Sequence, residues 1–441
     1  MALVPDHGWA WAMLLGAHVS AMLSNGYLLA LGVFYIEWKE VFDLSATDAS
    51  WLLSMPMVVA SPLCFFIGIL ASCVGIRPVS MLGAAVTGLG TILGSVSSNI
   101  DQLYICNGLT GVGTVMTVSP GMIMISHSFK KRYVFANGLA VLGLNVGQMV
   151  FPPLIRLLIV SYGWRGAMFI IGALQLNGVA ACALFRPMKS ILKDVPRDDE
   201  RRRPCIKRNK CGDGTLRQHV KYLSIFSNIR AMLVLVAVCA YSMALIVNLF
   251  HLPERSKEAG WSHDLSAMLV FVYGLISAVT RSTHGWLVDR NYIGPFKLQL
   301  IVILGATLIS FLNPVSDSYT FLVFYTLVLG AFLGVSSPLL IVNMKNVASP
   351  AQVPSAICLT WASFYLFSGV GSVLAGTIYD ATGNYLAPFL TSGTLFLLAF
   401  LLFAVVTVMK SRQDKRLKLH VDTTSTAVYH VATEDIGQDT A

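Results

Sequence analysis

Long apolar runs broken by short polar stretches set the pattern of this chain. The runs fall at Gly8–Ile36, Ala49–Ser72, Pro78–Val96, Gln102–Ile125, Val134–Ser161, Gly166–Phe185, Ile229–Phe250, Leu265–Val288, Pro295–Leu312, Thr320–Val342, Ser355–Tyr379 and Leu386–Met409. Each is close to the roughly 20 apolar residues that a helix needs to cross a bilayer core. Lipid offers backbone polar groups no partner, so each run is expected to be a helix. The period-two alternation of membrane β-strands is absent. The pattern predicts an all-α membrane protein with about twelve spans.

The first run is not read as a signal peptide. It has no basic start, its apolar stretch is too long, and it opens with Trp9 and Trp11, which suit the headgroup level.

Composition removes the alternatives. Of 441 residues, 55% are hydrophobic and 12% charged, against roughly 25% charged in a soluble domain. Mean hydropathy is +0.69. These figures exclude a soluble enzyme and exclude disorder over most of the chain.

The net charge of +9 is concentrated in a few places. Lys130, Lys131 and Arg132 follow the fourth run. Eleven Lys and Arg residues between Lys189 and Lys221 follow the sixth, and Lys410, Arg412, Lys415, Arg416 and Lys418 follow the last. The intervening segments, such as Glu37–Asp48 and Glu254–Asp264, are read as short loops that are mixed or acidic. The positive-inside rule then puts both termini in the cytoplasm, which requires an even number of spans. Attraction to anionic lipid accounts for the positive charge, so no nucleic-acid partner is expected.

The runs divide six and six. Residues 1–187 are read as one half and 188–228 as a cytoplasmic linker with Pro196 and Pro204. Residues 229–410 form the second half, and 411–441 a disordered tail. The eight cysteines show no disulfide framework. Cys205, Cys211 and His219 in the linker lack the spacing and fourth ligand of a zinc site. No Gly-x-x-x-x-Gly-Lys-Ser/Thr loop for ATP occurs. No cofactor or metal is expected, and no catalysed reaction.

A weak repeat links the halves. Gly285-Trp-Leu-Val-Asp289-Arg290 follows the eighth run, and Gly68-Ile-Leu-Ala-Ser72 with Gly75 and Arg77 follows the second. The pattern is similar to the major facilitator fold, in which such loops tie helices together by an acid–base contact. The first copy has lost its acid. Asp289 and Arg290 are therefore expected to steady one closed state.

Further segments narrow the resemblance. Pro5-Asp6-His7-Gly8-Trp9-Ala10-Trp11 resembles the first signature of the monocarboxylate transporter family (solute carrier family 16). Phe129-Lys-Lys131-Arg132-Tyr133, running on through Gly138 and Gly143 to Gly147, resembles the second. Gly163-Trp-Arg-Gly166, Phe185-Arg-Pro187 and Asp380-Ala-Thr-Gly383-Asn-Tyr385 also fit the family's habits. The resemblance implies a twelve-helix facilitator that moves a small monocarboxylate or related organic solute across the plasma membrane by alternating access. In some relatives a single-span immunoglobulin-like chaperone escorts the carrier to the surface. Physically, the signature residues read as structural. Asp6 stands where a helix N-terminus needs a cap, and the glycines after Arg132 allow close helix contact.

Arg281 is the leading candidate for solute contact. A guanidinium in mid-span stays charged, costs free energy and matches a carboxylate with two donors. In the resembling family an arginine at this position partners the substrate carboxylate. Asn145, Gln148 and Tyr27 are further candidate contacts, although intramembrane Asn and Gln more often bond a neighbouring helix. His284, one turn from Arg281, is a candidate proton acceptor. Arg156 and Glu37 are read as interfacial and solvated, respectively.

Two departures matter. Proton-coupled members carry an Asp one turn before this arginine, where Ser277 stands here. They also carry a Lys in the first helix, where this chain reads Leu28-Leu-Ala-Leu-Gly-Val-Phe34. The chain thus resembles the divergent branches, without obligatory proton coupling. The competing expectation is a membrane receptor or scaffold that kept the fold and lost turnover.

Overall fold

A computed structural model of the chain describes residues 8–129, 133–186, 227–290, 292–348 and 353–438. A further set of side chains, among them those at 284–287, 289 and 413–438, lies outside the description. The described residues are helical bundles with no strand.

The first span, α1, is a broken rod. It runs as α-helix over Trp9–Ala21, widens to a π turn at Met22–Gly26, and resumes over Tyr27–Ala30 and Gly32–Val41. The next three helices are α2 (Ala46–Cys73), α3 (Ile76–Ser95) and α4 (Ile100–Ser128). A 51-residue stretch, Tyr133–Ala183, turns at Gly163, whose φ of 70° is left-handed. It therefore supplies two spans, α5 before Gly163 and α6 after it. The second half holds α7 (Ile229–Phe250), α8 (His263–Asp289), α9 (Pro295–Leu312), α10 (Tyr319–Val347), α11 (Val353–Thr382) and α12 (Leu386–Gln438).

Ten described stretches are long and apolar enough to cross a bilayer, and one of them is the 48-residue Ala136–Ala183. At 1.5 Å per residue that stretch is roughly twice the thickness of a hydrocarbon core, as the turn at Gly163 requires. With α2, a 28-residue helix, the spans number twelve among the described residues. Leu89, Ile105, Phe169, Leu308, Phe324 and Leu401 are exposed on the outer faces, the apolar belt that lipid demands. The chain is an all-α, multi-pass membrane protein.

One expectation is corrected. The segment 254–264 is not a plain loop, since it holds a short helix, Leu252–Glu258, whose first five residues are buried. Pro253 is pre-set for a first helical turn, and the basic Arg255 and Lys257 suit the end of a helix. The last helix, α12, continues to Gln438. No Gly or Pro interrupts it between Met409 and Gly437, so nothing in the sequence stops the helix.

Three seams join the halves. The first sets α1 against α7, where Gly32 lies so close to the Phe250 carbonyl that a Cβ would stand 2.8 Å from it. The second sets α2 against α11. Here Ser54 and Ser61 donate to the carbonyls of Gly369 and Ala362, both at 2.9 Å. The third sets α5 against α8. Aromatic residues from both halves, including Phe34, Trp38, Phe151, Tyr241, Phe250 and Phe389, share one buried core.

Candidate functional site

The site is built from the α5–α8 seam upward. Gly274 lets α8 approach α5 closely, since a Cβ there would stand 3.0 Å from the Met149 nitrogen. One turn further along α8, Ser277 accepts a hydrogen bond from the Asn145 amide of α5 at 2.9 Å. One more turn brings Arg281. Its Nε is buried and has no hydrogen-bond partner among the described residues. The same holds for Asn145 Oδ1 and Gln148 Nε2. Leaving such groups unmet costs about 1–3 kcal/mol each, so this patch is poised for a polar occupant.

No carboxylate pairs with Arg281 among the described residues. Its titratable neighbours are the phenols of Tyr273 and Tyr241. The Tyr241 hydroxyl lies 2.9 Å from that of Ser337 on α10. A cation with no anion and two phenols beside it can bind a carboxylate.

The candidate contacts separate. Arg281, Asn145 and Gln148 lie along one seam. Tyr27 of α1 packs edge-on against Phe34 and Phe151, with centroids 6.5 and 6.1 Å away. Its buried hydroxyl has no hydrogen-bond partner among the described residues. The His284 side chain lies outside the described residues.

The motif residues separate too. Asp6, Lys131 and Arg132 lie outside the described residues, as does the Asp289 side chain. Asp289 is the last residue of α8, and Arg290 is exposed just beyond it. Gly8 precedes α1 with a φ of 57°. The Trp9 indole N–H donates to the Leu184 carbonyl at 2.9 Å, with the Arg186 guanidinium 4.5 Å over its ring. Trp11 stacks edge-on against Phe129 at 5.4 Å. Gly143 faces the His18 carbonyl of α1 with no room for a Cβ, and Gly147 meets Gly26 in the same way. Gly138 packs against nothing, being exposed with open space where a Cβ would go. The expected close helix contact therefore does not extend to Gly138.

Sequence reasoning missed the π turn in α1. Such turns concentrate at functional sites because they unsettle the helix ladder. Gln175 of α6 donates to the Leu23 carbonyl within it at 3.3 Å. Asn25 in the same turn accepts from Tyr365 of α11 at 3.2 Å, which joins the halves. Tyr273, Ser337 and this Asn25–Tyr365 pairing had no local signal, because each depends on a distant helix.

The end of the bundle that carries the 37–48 and 251–264 segments is latched by charge. Arg156 of α5 pairs with Glu37 at 3.0 Å and with Asp264 at 2.8 Å. Lys39 lies 3.6 Å from Glu254, and Lys257 pairs with Glu40. Asp380 of α11 accepts from the backbone N–H groups of Ala46 and Thr47 at 2.9 and 2.8 Å, capping α2 across the seam. Lys257 holds the Glu40 carboxyl below its usual range, whereas burial pushes the Glu254 carboxyl up despite Lys39. Arg156 and Glu37 are thus ion-paired, because each finds a partner brought in by another helix.

The comparison with known proteins agrees with this architecture. The Major Facilitator Superfamily profile matches residues 13–316 and 256–429. Monocarboxylate transporter 13 of Bos taurus is 30% identical over 402 residues, covering 90% of this chain and 88% of that protein. The chain belongs to the monocarboxylate transporter family of that superfamily.

Two further relatives also match most of this chain. Monocarboxylate transporter 12 of Rattus norvegicus is 27% identical over 98% of this chain and 94% of its own length. Monocarboxylate transporter 4 of Mus musculus is 28% identical over 88% of this chain and 81% of its own. As a monocarboxylate transporter family member, the chain is a membrane transporter, and its superfamily consists of carriers rather than enzymes.

Proposed function

We propose that this chain is a secondary transporter of a small monocarboxylate or related organic solute, working by alternating access. The observation that carries the reading is Arg281. Its guanidinium sits inside α8 beside a seam between the halves, has no acidic partner among the described residues, and keeps a buried Nε unmet. A solute carboxylate would fill that role with a bidentate pair. Asn145 Oδ1 and Gln148 Nε2 supply an acceptor and a donor for a neutral polar group on the same solute.

The seams explain how access would alternate. Hydrogen bonds and glycine contacts close them from the charge latch down to Asn145–Ser277. With the basic segments taken as cytoplasmic, the latched end faces outward. Rocking of the two halves would exchange this latch for a closed inner end.

Ser277 and Asn145 form a neutral pair that does not titrate between the two faces. The solute therefore moves without an obligatory proton at this site.

Uptake by purified protein in proteoliposomes tests the reading. Labelled lactate, pyruvate, creatine, carnitine and an aromatic amino acid are offered with and without an inward proton gradient. Saturable uptake of at least one carboxylate, blocked by unlabelled acid and not by its methyl ester, is the expected result. Saturable binding with no flux would instead make the chain a receptor that kept the facilitator fold.

A further inference from the structure

His251 ends α7 where it meets the short helix, and its imidazole is fully buried in the seam between the halves. Tyr35 of α1 packs edge-on against it at 5.3 Å, and Tyr385 at the start of α12 lies 5.7 Å away. Nε2 is 3.2 Å from the Ser372 carbonyl of α11 and, at the longer 3.5 Å, from its hydroxyl, so the carbonyl is the nearer partner. A carbonyl only accepts, so Nε2 carries the proton and Nδ1 is left as a lone pair. That Nδ1 is buried and has no partner among the described residues.

A second proton would land on Nδ1, putting charge in a buried seam with no acceptor for it among the described residues. The groups around the ring offer little relief. From α1 come Tyr35 and Lys39, and from α11 Tyr379, over whose ring Lys39 lies at 4.5 Å. Tyr385 comes from α12, and Glu254 from the short helix. Lys39 repels an imidazolium, and Glu254 is already paired with Lys39. Tyr35 belongs to the first half, whereas Ser372 and Tyr385 belong to the second. Opening this end therefore strips Tyr35 from the ring and lets water reach Nδ1.

We propose that His251 is a proton-binding site that drives this end of the carrier open when it is occupied. The inference rests on the alternating-access reading above and adds a proton site away from Arg281.

Burial, with Lys39, lowers the imidazole to about 4 in the latched state, against about 6.5 for a hydrated one. The neutral ring's preference for the latched state is thus complete above about pH 6.5 and is lost as pH falls toward 4. From pH 7.5 to 5.5 this linkage raises the open-to-latched ratio about tenfold. Glu254 opposes it, because burial raises that carboxyl and acid then favours the latched state. Glu40, lowered by Lys257, favours opening only below its ordinary 4.5, outside this window.

The test measures the opening directly and needs no solute. Spin labels are attached to ketone side chains introduced at Val41 and Val315, exposed positions on opposite halves. Distances are recorded in proteoliposomes of the full chain at pH 7.5 and 5.5. In the Glu254→Gln background the long-distance population should rise about tenfold relative to the short one, and adding His251→Gln should abolish that rise. An unchanged or falling long-distance population in Glu254→Gln overturns the proposal whether or not the His251 variant folds. A rise that survives His251→Gln also overturns it. Distances that never lengthen at any pH, with any solute of the panel, would count against rocking of the halves itself.

Discussion

Asn145 of α5 donates to Ser277 of α8 at 2.9 Å, joining the two halves one turn from Arg281. This neutral bond occupies the place where an acid would make the seam titrate. A double-mutant cycle of Asn145→Ala and Ser277→Ala should give a coupling of about 0.6–1.7 kcal/mol, the range found for hydrogen bonds between membrane helices. Unfolding in detergent measures it, and purely additive losses would show that the bond does not hold the seam.

Asp380 caps α2 from the opposite half, so its loss should weaken the latch more than the helix. Asp380→Ala is expected to cost about 1 kcal/mol, as for other caps. It should also lengthen the Val41–Val315 label distance in part of the population. A stability loss with no change in distance would reduce Asp380 to a structural cap.

Glycines on α5 should behave oppositely according to what they face. Gly143→Ala drives a methyl into the His18 carbonyl and should destabilise by about 1–3 kcal/mol, as overpacking does. Gly138→Ala adds a methyl to open space and should be neutral or stabilise by up to about 1 kcal/mol through helix propensity. Thermal unfolding of the two variants side by side decides this, and equal losses would contradict the packing described here.

How far the structure was legible in the sequence follows from range. Each span was visible because about 20 apolar residues in a row have few other uses, and Gly163 with Trp164 marked the turn between α5 and α6. Arg281 was visible because a mid-span charge is costly. The π turn at Met22–Gly26 was not, since its residues also suit an ordinary helix. The latch was not, because Arg156, Glu37 and Asp264 are far apart in sequence and each looks unremarkable alone. The surroundings of Tyr27 were not legible for a similar reason. A polar residue in an apolar helix reveals its depth but not its azimuth, and here the ring packs against Phe34 and Phe151. The segment 254–264 read as loop because charge outweighed the helix signal of Pro253 and its successors.

The central claim is that Arg281 holds the carboxylate of the transported solute, and one measurement addresses it most directly. Uptake of the best carboxylate of the panel is compared for wild type, Arg281→Lys and Arg281→Gln in proteoliposomes of equal protein content. The account predicts a fall of at least about tenfold for Lys, which keeps the charge and loses the fork, and about a hundredfold for Gln, the cost of a charge-assisted bidentate contact. Uptake in Arg281→Gln within twofold of wild type, with the same saturation, would contradict it.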